Sequence, residues 1–128
     1  MLSQYLSVQP TEAKGRGVFT AVALPARTTV EESPVIVMTE EDRVHLDRTL
    51  LHDYIFEWGL QQEKCCMALG LVPIYNHSYE SNCDYFMDFE NDTISIQTMK
   101  AVAAGEELTI NYNGDWKDET KIWFDVKE

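Results

Sequence analysis

The sequence predicts a mainly β domain with a few short helices, an α+β chain. Three observations carry this. Short runs rich in Val, Ile, Thr and aromatic residues recur along the 128 residues, punctuated by Gly, Pro, Asn and Asp. Apart from a loose C-terminal tail, only two stretches read as helices. Strands do not alternate with helices of 10–15 residues, so a doubly wound parallel sheet is disfavoured.

Taken in order, residues 4–8 form a short strand candidate. Residues 17–22 and 28–38 are richer in Val, Thr and Ile and read as strands, with Pro25 marking the turn between them. Pro34 lacks a backbone N–H, which predicts an edge position or a bulge for the second. Thr39 followed by Glu40, Glu41 and Asp42 is a helix start: a hydroxyl N-cap with acids in the first turn, where the helix dipole favours them. Val44, Leu46, Leu50, Leu51, Tyr54, Ile55 and Trp58 follow at helical spacing and extend that helix to a stop at Gly59. Residues 64–70 read as a second short helix. Residues 83–90 and 93–100 form a hairpin around Glu90-Asn91-Asp92. Residues 108–112 make a short final strand, and the polar tail 116–128, with Trp123-Phe124 embedded, reads as a loose helix.

Length fits one domain over residues 1–128, with 116–128 as a short tail. Net charge is −12, and Glu12, Glu31 and Glu32 balance Lys14, Arg16 and Arg27 within residues 1–38, so the later ninety residues carry all of it. Such a field repels nucleic acid and anionic membrane and attracts cationic partners. The N-terminus has no basic region followed by an apolar core, and no apolar run could span a bilayer, which predicts an intracellular protein, in the cytoplasm or nucleus or delivered to a host cell nucleus, with no membrane partner. Three cysteines cannot pair completely, which fits a reduced setting. Cys65 and Cys66 are expected in the core. No Cys spacing suggests zinc. His45 and His52 lie two helical turns apart, over ~10 Å, too far for one ion. No metal is expected.

Three segments carry chemistry. Lys14-Gly15-Arg16-Gly17-Val18-Phe19 has glycines that let backbone approach a ligand closely. Ile74-Tyr75-Asn76-His77-Ser78 offers an amide with both a donor and an acceptor. The third is Gly105-Glu106-Glu107-Leu108-Thr109-Ile110-Asn111-Tyr112. In this order, together with Asp53-Tyr54-Ile55-Phe56 and Met67-Ala68-Leu69-Gly70, they resemble the signature of SET-domain protein-lysine methyltransferases, and the layout is similar to the small stand-alone viral members. The resemblance covers the chain from Val8 to about Trp116. Ser81 stands before Asn82 where the family often has Pro. The cysteine-rich zinc-binding flanks of many chromatin members are absent.

The resemblance implies a SET (β-clip) fold whose C-terminal segment threads beneath a loop as a pseudoknot. It implies transfer of a methyl group from S-adenosyl-L-methionine (SAM) to a lysine of a basic polypeptide such as a histone tail, leaving S-adenosyl-L-homocysteine. Lys14, Gly15, Arg16, Gly17, Asn76, His77 and Tyr112 would bind the cofactor, with His77 acting through its backbone. Tyr112 and Tyr54 would be catalytic. Tyr54, Tyr85, Ile110, Tyr112 and Trp116 would line the lysine channel: Tyr54, Tyr112 and Trp116 match aromatic channel positions of the viral members, and Tyr85 a channel tyrosine of some monomethylases. Ile110 stands where many members carry Phe or Tyr, so Ile110 suggests room for several methyls while Tyr85 could supply a restricting hydroxyl. Product state stays open. The viral members are dimers, which makes a homodimer the implied assembly. The competing expectation is a SET-fold module that binds peptide or SAM with little transfer.

Overall fold

A computed structural model of the chain describes residues 1–112. Among the described residues, nine strands make two sheets. β1 (Leu6–Pro10), β2 (Arg16–Thr20), β9 (Glu107–Ile110) and β6 (Asn76–His77) form a four-stranded sheet in the order β1-β2-β9-β6. β4 (Phe56–Trp58), β5 (Lys64–Ala68), β3 (Thr29–Met38), β8 (Thr93–Thr98) and β7 (Cys83–Asp88) form the second, in the order β4-β5-β3-β8-β7. The core lies between them. Val18, Leu108 and Ile110 of the small sheet meet Val30, Cys66, Ile94 and Ile96 of the large one, and Val72 and Tyr75 fill the end of the layer. The mainly β prediction therefore holds.

The large sheet is curled. Its edge strands β4 and β7 come together through aromatic side chains, with ring centroids 5.5 Å apart for Phe56 and Tyr85, and 4.8 Å apart for Trp58 and Phe89 in the turn just after β7. Such pairs add about 0.5–1.5 kcal/mol beyond the area they bury.

The helix predicted from Thr39 starts as expected but is much shorter. Thr39 caps α1 (Glu40–Leu46) with a full capping box, its hydroxyl accepting from Asp42 N–H while the Asp42 carboxylate accepts from Thr39 N–H. After Leu46 the chain turns away. The Thr49 hydroxyl donates to Leu46 O and accepts from Leu51 N–H, closing one helix and opening a 3₁₀ turn, Leu50–Asp53. No α1 side chain is buried, and Leu50 is 75% exposed, so no tertiary contact supports a longer helix. Trp58 belongs to β4 instead, and Gly59, at φ +104°, ends a strand.

The second predicted helix is strand β5. Cys65 and Cys66 point to opposite faces of β5 and are both fully buried: Cys66 belongs to the core on one face, while α1, with Arg43 and Asp42 near Cys65, packs against the strand on the other. Pro34 sits in an interior strand, not at an edge. Residues Thr29 to Pro34 pair with β8 and Val35 to Met38 with β5, so Pro34 marks the handover between two ladders, where a missing donor costs least. The irregularity in β3 lies between Thr29 and Glu31. The hairpin is as expected, β7 against β8 in register from Cys83↔Thr98 to Asp88↔Thr93, with Asp92 at φ +53° in its turn. No helix among the described residues is long and apolar enough to cross a membrane.

Candidate functional site

β9 is the strand that assembles the site. It pairs antiparallel with β2 (Val18↔Leu108, Phe19↔Glu107) and parallel with β6 (Asn76↔Thr109, His77↔Ile110). Three segments far apart in sequence are thereby set side by side. Asn82 reinforces the join as a side-chain mimic of a strand: its Nδ2 donates to Glu107 O at 2.8 Å and its Oδ1 accepts from Thr109 N–H at 2.9 Å.

The first cleft lies around the glycine loop. Thr11 folds the loop back, its N–H and hydroxyl both donating to Gly15 O (2.6 and 2.9 Å), and Gly15 adopts φ +70°. Lys14 Nζ then reaches His77 O at 3.1 Å. Asn76 Nδ2 donates to Arg16 O at 3.0 Å and to Glu107 Oε2 at 2.7 Å. Gly17 is required by space: a Cβ there would meet the Glu107 carboxylate and stand 2.9 Å from Asn76 Nδ2. Predicted residues Lys14, Gly15, Arg16, Gly17, Asn76 and His77 are thus neighbours.

The second feature is a pocket of about 770 Å³ between α1, β4 and β7. Tyr54, Tyr85 and Tyr112 all line it, with Phe56, Phe89 and Pro73. Arg43, Asp47, His52, Asp53 and Glu57 are among its polar lining residues. Arg43 lies 3.5 Å from Glu57 and 3.9 Å from Asp47, and His52 Nδ1 lies 2.9 Å from Asp47 Oδ1. Tyr112 is held from several sides. Its N–H donates to His77 Nδ1 at 2.9 Å, its hydroxyl donates to Tyr75 O at 2.7 Å, and its own carbonyl accepts from the Tyr85 hydroxyl at 3.4 Å. Because His77 Nδ1 accepts, the proton of the neutral ring is on Nε2. The two rings lie 5.1 Å apart between centroids.

Burial, and then the charges of Asp84 and Glu57, push the Tyr85 phenol up to about 12. Burial, then Tyr54 and Asp53, raises that of Tyr112 as well. Both stay protonated donors at neutral pH.

One expected channel residue, Ile110, is not among the residues that line the pocket. Ile110 is fully buried in the core and does not line it, because β9 turns that position inward. Trp116, and with it Trp123 and Phe124, lies outside the described residues. Sequence reasoning assigned no role to Glu107, although it stands in the third motif. Nor did it find Glu31, a wholly buried carboxylate that accepts from Ser33 Oγ (2.7 Å), Leu71 N–H (2.8 Å) and Tyr75 Oη (2.8 Å). A pair of carboxylates inside a strand, Glu31 beside Glu32, was the available signal. Among the described residues no group of three or more His, Cys, Asp or Glu side chains could hold a metal ion.

A family profile described as SET domain matches residues 15–113. The Schizosaccharomyces pombe protein named histone-lysine N-methyltransferase, H3 lysine-37 specific, is 36% identical over 121 residues, spanning 94% of this chain and 77% of that protein. A crystal structure of a Plasmodium falciparum protein, provisionally named a histone methyltransferase, superposes with a TM-score of 0.68 at 20% identity, covering 91% of this chain and all of that one.

Proposed function

The chain belongs to the SET-domain family of protein-lysine methyltransferases, and from that premise we propose that it methylates a lysine of a histone tail with SAM as donor. The observation that carries the reading is the pocket in which Tyr54, Tyr85 and Tyr112 converge while Tyr112 is hydrogen-bonded to the His77 ring and the Tyr75 carbonyl. The name of the fission-yeast relative supports histone H3 as the substrate and the nucleus as the place of action. A net charge of −12 suits a basic tail.

The first cleft fits the cofactor. Gly17 lets the Glu107 carboxylate and the Asn76 amide come close to the backbone of the loop, and beside them stand the cation Lys14 and the backbone of His77. When bound, SAM supplies an electrophilic methyl on a sulfonium. The rest is done by the chain. A free lysine ammonium has a pKa of about 10.4 and is no nucleophile until it loses its proton. The aromatic walls take it out of water, which lowers that pKa, and tolerate the residual cation over their faces. The Tyr112 hydroxyl, anchored on Tyr75 O, orients the amine. Fixing both reactants in near-attack geometry can contribute about 7–11 kcal/mol.

The test is incubation of the protein with isotopically labelled SAM and recombinant histones, with mass spectrometry to locate and count the methyls. Label on a histone H3 lysine, abolished by Tyr112→Phe, supports the reading. Tight SAM binding without transfer to any basic protein would replace it with a binding module. Sedimentation of the same protein tests the homodimer that the viral members imply.

A further inference from the structure

The Asn76 amide is more constrained than its place in the cleft requires. Its nitrogen carries two hydrogens and has two acceptors, Arg16 O and the Glu107 carboxylate, so its donor capacity is used up. Turning the amide over would set its oxygen against a carbonyl and a carboxylate, which is repulsive. Glu107 cannot easily leave, since its main chain is tied to Asn82 and paired with Phe19, while its side chain lies over the space that Gly17 keeps open. Only Oδ1 remains for a ligand, and Oδ1 accepts.

We propose that Glu107 is a specificity-determining positioning residue: by holding the Asn76 amide in one orientation it makes the cleft read a ligand's ammonium group and leaves any ligand carboxylate to Lys14. This rests on the reading of the cleft as the SAM site. The Lys14 ammonium, 3.1 Å from His77 O on the same wall, is the cation at hand for that second duty.

Calorimetric binding to the full chain tests this with three probes. S-adenosylhomocysteine carries both charges, its decarboxylated amine analogue keeps only the ammonium, and 5′-methylthioadenosine has neither. Glu107→Met removes the acceptor. It should weaken the first two probes at least tenfold and leave methylthioadenosine within twofold, and Glu107→Gln, which retains an acceptor oxygen, should restore most of the loss. Lys14→Met should weaken S-adenosylhomocysteine but not the amine analogue. Should Glu107→Met not fold, Glu107→Asp, one methylene shorter, is measured in its place against the same expectation. Unchanged S-adenosylhomocysteine affinity in Glu107→Met, or in the Glu107→Asp that stands in for it, overturns the proposal. So does an equal loss for methylthioadenosine, which would mean the cleft has simply collapsed. Wild-type protein that binds none of the three removes the cofactor reading itself, and the proposal with it.

Discussion

Replacing Tyr75 with Phe should cost the protein much of its stability by deleting one oxygen atom. Tyr75 and Glu31 are both fully buried, and the Tyr75 hydroxyl donates to Glu31 Oε1 at 2.8 Å. The other carboxylate oxygen, Oε2, is served separately by Ser33 Oγ and Leu71 N–H. Burial first, and the Glu31 charge second, hold the Tyr75 phenol far above its ordinary range, so it is a donor at every working pH. In Tyr75→Phe the ring and its packing remain, and Oε1 is left in the interior without that donor. A hydrogen bond to a charged group contributes about 1.5–3 kcal/mol, and an unmet buried charge pushes the cost to the upper part of that range. For 128 residues, unfolding entropy near the midpoint is about 0.27 kcal/mol/K. A loss of about 2–3 kcal/mol therefore lowers Tm by about 7–11 °C. Thermal unfolding followed by circular dichroism, with urea unfolding to obtain the free energy, measures this. A shift under about 2 °C would show that the carboxylate does not depend on Tyr75, and the account of this buried cluster would be wrong.

Three further outcomes are expected. Burial raises the thiols of Cys66 and Cys83 from an ordinary value of 9.0 to about 12, and the Tyr85 phenol from 10.0 to about 12. Above pH 9 the unfolded chain sheds these protons first, so stability is full below that pH and declines between pH 9 and 12. Cys83 alone accounts for about 4 kcal/mol at the upper end, and urea midpoints that stay flat across this window would contradict the burial of these groups. Asn82→Ala leaves the buried Thr109 N–H without its side-chain partner and frees Glu107 O, and should lower unfolding free energy by about 2–4 kcal/mol; equilibrium denaturation reads it directly. Gly17→Ala would place a Cβ against Asn76 and Glu107, so cofactor affinity by calorimetry should fall at least tenfold while Tm moves by only a few degrees.

What the sequence revealed tracked how local each signal was. The Thr39 N-cap and the hairpin around Asn91 depend on residues within a few positions of one another, and both were readable. The long helix to Gly59 and the helix at 64–70 were misread because the spacing of apolar residues there is compatible with two periods. Tertiary context chose between them: β5 pairs with β3 and β4 along both edges, while Leu50 stays 75% exposed. Residues of the site were recognisable through motif resemblance, since each motif is short. Their mutual geometry was not, because it depends on the parallel pairing of two-residue β6 with β9, a contact with no local trace. Glu107 and Glu31 went unassigned for a related reason: an acid's partner is chosen by the fold, and neither Asn76 nor Tyr75 is near its acid in sequence.

The insertion of β9 between β2 and β6 also bears on how the protein is made. Synthesis runs from the N-terminus, and residues 14–17 and 76–77 are complete long before Glu107 to Tyr112 leave the ribosome. Until that last segment arrives, β2 and β6 have no strand to join them. Contacts spanning about ninety positions are slow to close because loop entropy is spent before they form. A nascent or truncated chain would thus hold two halves of a cleft and neither the anchor for Asn76 nor Tyr112, so the candidate site is complete only once β9 has paired with both β2 and β6.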